Sequence, residues 1–147
     1  MYKVLFVCIH NSARSQMAEA FLNELGKEKF IAESAGLEPG KLNPNVVKVM
    51  MEVGIDISGN HTTDVFDLLK KGKQYDAVVT VCDAANGERC PIFPGTTRHI
   101  AWSFSDPSAF KGEPDEVLEH TRKVRNEIKN KIIEFVDEAG KISYWVS

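Results

Sequence analysis

The chain has 147 residues, 43% hydrophobic and 27% charged, with a formal net charge of −3. Its size fits one globular domain, and its scattered Lys and Arg form no basic stripe, which argues against nucleic acid as a partner. No apolar run reaches the roughly 18 residues of a membrane span, and the charge-free stretch from Val4 to Ile9 is too short for a signal peptide, so a cytoplasmic chain away from the membrane is expected.

Val4 to Val7 are continuously apolar, as in a parallel strand buried on both faces. From Ser15 to Leu25, Met17, Ala18, Phe21, Leu22 and Leu25 recur at helical spacing. Phe30 to Ala35 read as a second strand closed by Gly36. Asn43-Pro44 start a helix that Gly54 stops. Thr62 to Lys71 read as another short helix, Ala77 to Cys82 as a third buried strand, and Arg98 to Trp102 as a fourth. Glu113 to Ala139 form the longest helix, with Gly140 as the stop beyond its C-terminus. Alternating strands and helices predict a small three-layer α/β fold with a central, mainly parallel four-stranded sheet flanked by helices. Residues 1–140 form one domain and 141–147 an extension, which reads as an extra strand, a docking segment or a disordered tail. Ligands of such folds bind outside the carboxyl ends of the strands, where Cys8 and Cys82 each sit.

Cys8-Ile9-His10-Asn11-Ser12-Ala13-Arg14-Ser15 join the first strand to the first helix. A strand-to-helix turn wraps backbone N–H groups around one anion. The helix N-terminus and Arg14 both favour the thiolate form of Cys8. The planar fork of Arg14 can grip two oxygens of a tetrahedral oxyanion. Ser15 is placed to donate to the thiolate, and Asn11 tolerates a left-handed backbone that ties the loop down. A structural cysteine beside a capping serine would leave the spacing of Arg14, Ser12 and Ser15 unexplained. His10 reads as an exposed, tolerated residue rather than a base. Asp106-Pro107 is either an ordinary turn or a loop carboxyl able to protonate a leaving oxygen.

The chain has three cysteines, an odd number that favours chemistry over a disulfide framework. Cys82 and Cys90 flank a polar segment containing Asn86-Gly87, and their spacing fits no common zinc pattern. With one activated thiol already present, a thiol–disulfide relay explains them better than two unrelated cysteines.

Residues 7–20, Ser34-Ala35-Gly36, Asp56-Ile57-Ser58, Asn60-His61-Thr62, residues 78–82, Cys90-Pro91 and Asp106-Pro107 together resemble the low-molecular-weight phosphatase-like arsenate reductases of the thioredoxin-coupled type. The resemblance spans most of the chain, to about residue 139. It implies that Cys8 attacks arsenate held by residues 8–14 (Cys8, Ile9, His10, Asn11, Ser12, Ala13 and Arg14), with Ser15 supporting the thiolate. Asp106 would protonate the departing oxygen. Cys82 would displace arsenite, Cys90 would accept the disulfide, and thioredoxin or another thiol reductant would remove it. No cofactor is implied as required. Some members bind potassium, and the matching positions are Asn11, Glu19, Ser34 and Asp64; hydrogen-bonded support of the loop is the equal alternative for these four. The chain departs from the family at Ile9-His10, at Ala13 and in its tail. A monomer is expected.

Two rival readings stand beside this one. A low-molecular-weight protein tyrosine phosphatase shares the Cys8–Arg14 loop and Asp106 but has no need of Cys82 or Cys90, and Ser108-Ala109 stand where such phosphatases place tyrosine. Weak phosphatase activity is expected in either case, because the loop fits any tetrahedral oxyanion. A non-catalytic redox sensor or oxyanion-binding protein would need a partner surface, for which only the apolar tail is a candidate.

Overall fold

The computed structural model describes residues 1–82 and 98–146. Strand β1 (Tyr2–Cys8) leads through a tight loop into helix α1 (Arg14–Leu25) and then β2 (Phe30–Gly36). Helices α2 (Pro44–Met51) and α3 (Val65–Lys70) precede β3 (Ala77–Cys82) and β4 (Arg98–Ser103). A short 3-10 turn (Pro107–Ala109), the long α4 (Pro114–Ala139) and α5 (Ile142–Trp145) complete the chain.

The described strands form one sheet in the order β2-β1-β3-β4, every neighbour pair parallel. This is the expected four-stranded parallel sheet between helical layers. On one face, Val4, Phe6, Val79 and Val81 meet Met17, Phe21 and Leu22 of α1, Val49 and Met50 of α2, and Ile128 and Ile132 of α4. On the other, Leu5, Val7 and Val78 meet Val65 and Leu68 of α3. Burial on both faces is why β1 and β3 read as continuous apolar runs rather than alternating ones. Each fully buried side chain of this size contributes about 1.5–3 kcal/mol.

Chain order and spatial order diverge at β1. The chain leaves β1 toward β2 on one side and returns as β3 on the other. Helices on opposite faces leave a crevice at the carboxyl end of such a strand, and Cys8 closes β1 there.

Three details refine or differ from the sequence reading. Helix α3 begins at Val65 rather than Thr62, because the Asp64 carboxylate caps it through Phe66 N at 2.8 Å while Thr63 N is taken by Asn11 Oδ1 at 2.9 Å. Gly140 does end α4 as expected, but in a right-handed conformation (φ −73°), and a Cβ there would lie 2.7 Å from the Val136 carbonyl oxygen, so close packing is what calls for glycine. The tail forms a helical turn against the body of the protein rather than an extra strand. The Trp145 ring stacks on Tyr2 at 4.4 Å and its Nε1 donates to the Ala139 carbonyl at 2.7 Å. The Arg98 guanidinium lies 4.5 Å over the Tyr144 ring. Helix α5 thereby joins the amino ends of β1 and β4.

Trp145→Ala is expected to lower unfolding free energy by about 1–3 kcal/mol in urea titrations. Oxyanion affinity should stay unchanged, because Trp145 packs at the opposite end of the strands from Cys8.

Candidate active site

Residues 8–13 turn from β1 into α1, whose first turn holds no acidic residue. Ala13 occupies the N-cap, and no side chain among the described residues caps the helix. The first N–H groups of a helix have no partner within it, which suits this end of α1 to an incoming anion. The Cys8 sulfur receives two hydrogen bonds. Asn11 N donates to it at 3.1 Å, and Ser15 Oγ lies 2.9 Å away. Asn11 Nδ2 donates to that same Ser15 Oγ at 2.8 Å, which leaves the Ser15 proton for the sulfur. Asn11 adopts φ +54°, the left-handed backbone expected for it.

The loop is fixed from behind. Asn11 Nδ2 also donates to Ser34 Oγ at 2.9 Å, and Ser34 Oγ donates to Glu19 Oε1 at 3.1 Å. Asn11 Oδ1 accepts from Thr63 N at 2.9 Å and from Gln16 Nε2 at 3.3 Å. The Gln16 amide further donates to the carbonyls of Asn11 and His61, both at 3.1 Å, and accepts from Asn60 Nδ2 at 3.1 Å. Gly36 passes so close that a Cβ would lie 2.7 Å from Ile9 O and 2.8 Å from Asn11 N. The segment after it then lines the loop: Leu37, Glu38, Gly40 and Asn43 donate their N–H groups to the carbonyls of Cys8, Ile9, His10 and Ser12. The roles of Gln16 and Gly36 were not deduced from the sequence, although both lie in its quoted motifs. The signal was a glycine directly ending a strand beside the anion loop.

A shallow concavity lies over the sulfur, lined by Cys8, His10, Ser12, Ala13, Arg14 and Asp106. Ile9 and Asn11 are not among its lining residues; the Ile9 carbonyl accepts from Glu38 N in the 37–43 segment, and Asn11 turns into the support network. Arg14 is buried, its Nη1 donating to Phe104 O at 3.2 Å and its Nη2 lying 3.5 Å from Asp106 Oδ2. The other Asp106 oxygen accepts from Ser108 N at 2.9 Å. His10 is exposed as expected, its Nδ1 donating to the Glu38 carbonyl at 2.9 Å.

Cys82 is buried at the end of β3, and it and Cys8 are both unbridged. Adjacent parallel strands bring the two cysteines to one edge of the sheet. Their faces differ. Cys8 packs with Val81 on the α1 side, and alternation places Cys82 with Val78 on the α3 side. The Cys82 carbonyl accepts from Phe104 N at 3.2 Å, so a single residue, Phe104, bonds both Cys82 and Arg14. Cys90 lies outside the described residues.

The residues matched to a potassium site only partly converge. Glu19 and Ser34 meet, but Asn11 turns its amide nitrogen to Ser34 and spends its oxygen on Thr63 and Gln16. Asp64 uses a carboxylate oxygen to cap α3. These contacts join the four residues to the hydrogen-bonded support of the loop and of α3. Burial pushes the Glu19 carboxyl up from its ordinary 4.5 to about 7, aided by the nearby Glu33 charge and opposed by Ser34.

The folded state thus holds a proton on Glu19 that the unfolded chain releases. That stabilisation is complete below pH 4.5 and is lost as pH rises through about 7. Glu19→Gln is expected to be more stable than wild type at pH 8, by on the order of 2–3 kcal/mol, and to flatten this slope in melting curves. Exchanging sodium for potassium should leave both melting temperatures unchanged. Gly36→Ala should cost about 1–3 kcal/mol and abolish phosphate binding measured by calorimetry, because a methyl group there displaces the loop backbone.

The low molecular weight phosphotyrosine protein phosphatase family model matches residues 3–142. An arsenate reductase of Bacillus subtilis is 43% identical over 141 residues, 94% of this chain and 96% of its own length. Among solved structures, an arsenate reductase in the phosphate binding state aligns at 34% identity with a TM-score of 0.74, covering 93% of this chain and 98% of the other. A thioredoxin-dependent arsenate reductase of Corynebacterium glutamicum aligns at 27% identity with a TM-score of 0.58, covering 91% of this chain and 62% of the other. The anion loop at the end of β1, the parallel sheet that presents it and matches running nearly end to end agree, and the chain belongs to the low molecular weight phosphotyrosine protein phosphatase family.

Proposed function

We propose that this protein reduces arsenate to arsenite through Cys8, Cys82 and Cys90, with thioredoxin as the dithiol that restores it. The observation that carries the reading is the Cys8 sulfur held by Asn11 N and Ser15 Oγ in a small pocket beside Arg14, with Cys82 at the same sheet edge. The arsenate reductases among its relatives, one of them thioredoxin-dependent, support the substrate and the reductant.

The chemistry follows from the positions. Arsenate enters with its oxygens toward the N–H groups of the loop and the Arg14 guanidinium. The Cys8 thiolate attacks arsenic and forms a sulfur–arsenic bond. Asp106, 3.5 Å from Arg14, gives its proton to the departing oxygen, which leaves as water. A Cys82 thiolate then attacks the Cys8 sulfur. A disulfide forms, the sulfur–arsenic bond breaks, and its electron pair reduces As(V) to As(III), released as arsenite. Two thiols have lost the two electrons that arsenic gained. Cys90 next attacks Cys82, frees the Cys8 thiolate and leaves a Cys82–Cys90 disulfide for thioredoxin. Because Cys8 and Cys82 occupy opposite faces at rest, the end of β3 must change conformation before the first disulfide closes.

Reduced protein mixed with arsenate, without thioredoxin, is expected to release one arsenite per chain and lose two thiols. Cys82→Ser and Cys90→Ser should each abolish multiple turnover with thioredoxin. Aryl phosphate hydrolysis with three retained thiols and no arsenite would establish the phosphatase reading instead.

A further inference from the structure

Asn43 and Ser108 lie outside every residue assigned to the chemistry, yet they connect its two halves. Asn43 makes three kinds of contact. Its backbone N–H donates to the carbonyl of Ser12, in the anion loop, at 2.9 Å. Its Oδ1 caps α2, accepting from Asn45 N at 2.9 Å and Val46 N at 3.4 Å. Its Nδ2 then reaches across 65 positions of sequence to Ser108 Oγ at 3.0 Å. Ser108 in turn donates its backbone N–H to Asp106 Oδ1 at 2.9 Å. The chain of contacts therefore runs from the loop that holds the oxyanion, through Asn43 and Ser108, to one oxygen of the proposed proton donor. Arg14 sets the other oxygen.

We propose that the Asn43–Ser108 hydrogen bond is a positioning strut that fixes the Asp106 carboxyl relative to the oxyanion pocket and so aids protonation of the leaving oxygen. The inference rests on Asp106 acting as the acid. Its physical basis is that a loop carboxyl has many orientations and proton transfer has few. Asp106 follows a strand end and precedes a single 3-10 turn, so local structure alone holds it weakly. Asn43 is held firmly by its cap and its bond to Ser12, and it transfers that rigidity to the Asp106 turn. The cap on α2 needs only Oδ1, so the Nδ2 contact is separable from helix formation. Removing the Ser108 hydroxyl breaks the strut while keeping both the cap and the Ser108 N–H bond to Asp106.

The strut makes a prediction that a general stabilising contact does not. Its loss should matter in proportion to how much the leaving group needs a proton. Ser108→Ala is expected to lower kcat for phenyl phosphate, whose phenolate leaves poorly, by about 3- to 10-fold, the range of one modest hydrogen bond. The loss with p-nitrophenyl phosphate, whose leaving group needs little protonation, should be smaller, and KM should change little with either. Single-turnover thiol loss with arsenate should slow as phenyl phosphate hydrolysis does. In an Asp106→Asn background Ser108→Ala should have no further effect, and Ser108→Thr should restore the wild-type rate. Equal losses with the two aryl phosphates, additive losses in the double variant, or no loss at all would overturn the strut. Arsenate left unreduced by wild type, with the aryl phosphate pattern intact, would overturn the reductase reading and keep the strut.

Discussion

The carboxyl edge of this sheet depends on one buried side chain, Asn11. Its amide donates to Ser15 and Ser34, its oxygen accepts from Thr63 and Gln16, and its backbone N–H points at the Cys8 sulfur. Each contact is worth only about 0.5–1.5 kcal/mol, and a buried polar group left without a partner costs more. The network is therefore cooperative in a practical sense: every bond that Asn11 makes is needed to satisfy another residue. The left-handed backbone at Asn11 costs roughly 1 kcal/mol, and the same bonds offset it. What results is a loop whose N–H groups and sulfur are arranged before any anion arrives. Preorganisation of this kind is how a protein stabilises developing charge without rearranging at the moment of reaction.

Much of this was legible in the residues. Continuous apolar runs marked β1 and β3, because strands buried on both faces cannot alternate. The Cys8-to-Ser15 spacing marked the anion loop, and Asn11 was recognisable as a residue that accepts positive φ. The parts that were not legible depend on contacts between distant segments. Nothing local in Gln16 says that it will bond Asn60 and His61, and nothing in Asn43 says that it will meet Ser108. The start of α3 was misplaced for the same reason: Thr63 carries helical-looking neighbours, but its N–H goes to Asn11, from another part of the chain. Spacing likewise identifies Asn11 as a candidate support residue but not which end of its amide faces which partner.

The two thiols divide the chemistry. Cys8 lies in a hydrogen-bonded pocket beside Arg14 and Asp106. Cys82 is buried at a strand end on the other face, where its backbone carbonyl still bonds Phe104. Phe104 also accepts from Arg14, so Arg14 and the end of β3 share one backbone neighbour. The anion loop selects a tetrahedral oxyanion, which a phosphatase would also accept. In the proposed relay, the second and third cysteines are what turn hydrolysis of that oxyanion into reduction.

The most direct measurement is a disulfide map of the Cys90→Ser protein after one equivalent of arsenate. Peptide mass spectrometry without reductant is expected to find Cys8 joined to Cys82, with one arsenite released per bond formed. Recovery of both cysteines as free thiols, with arsenate unchanged, would contradict a reductive role for Cys8.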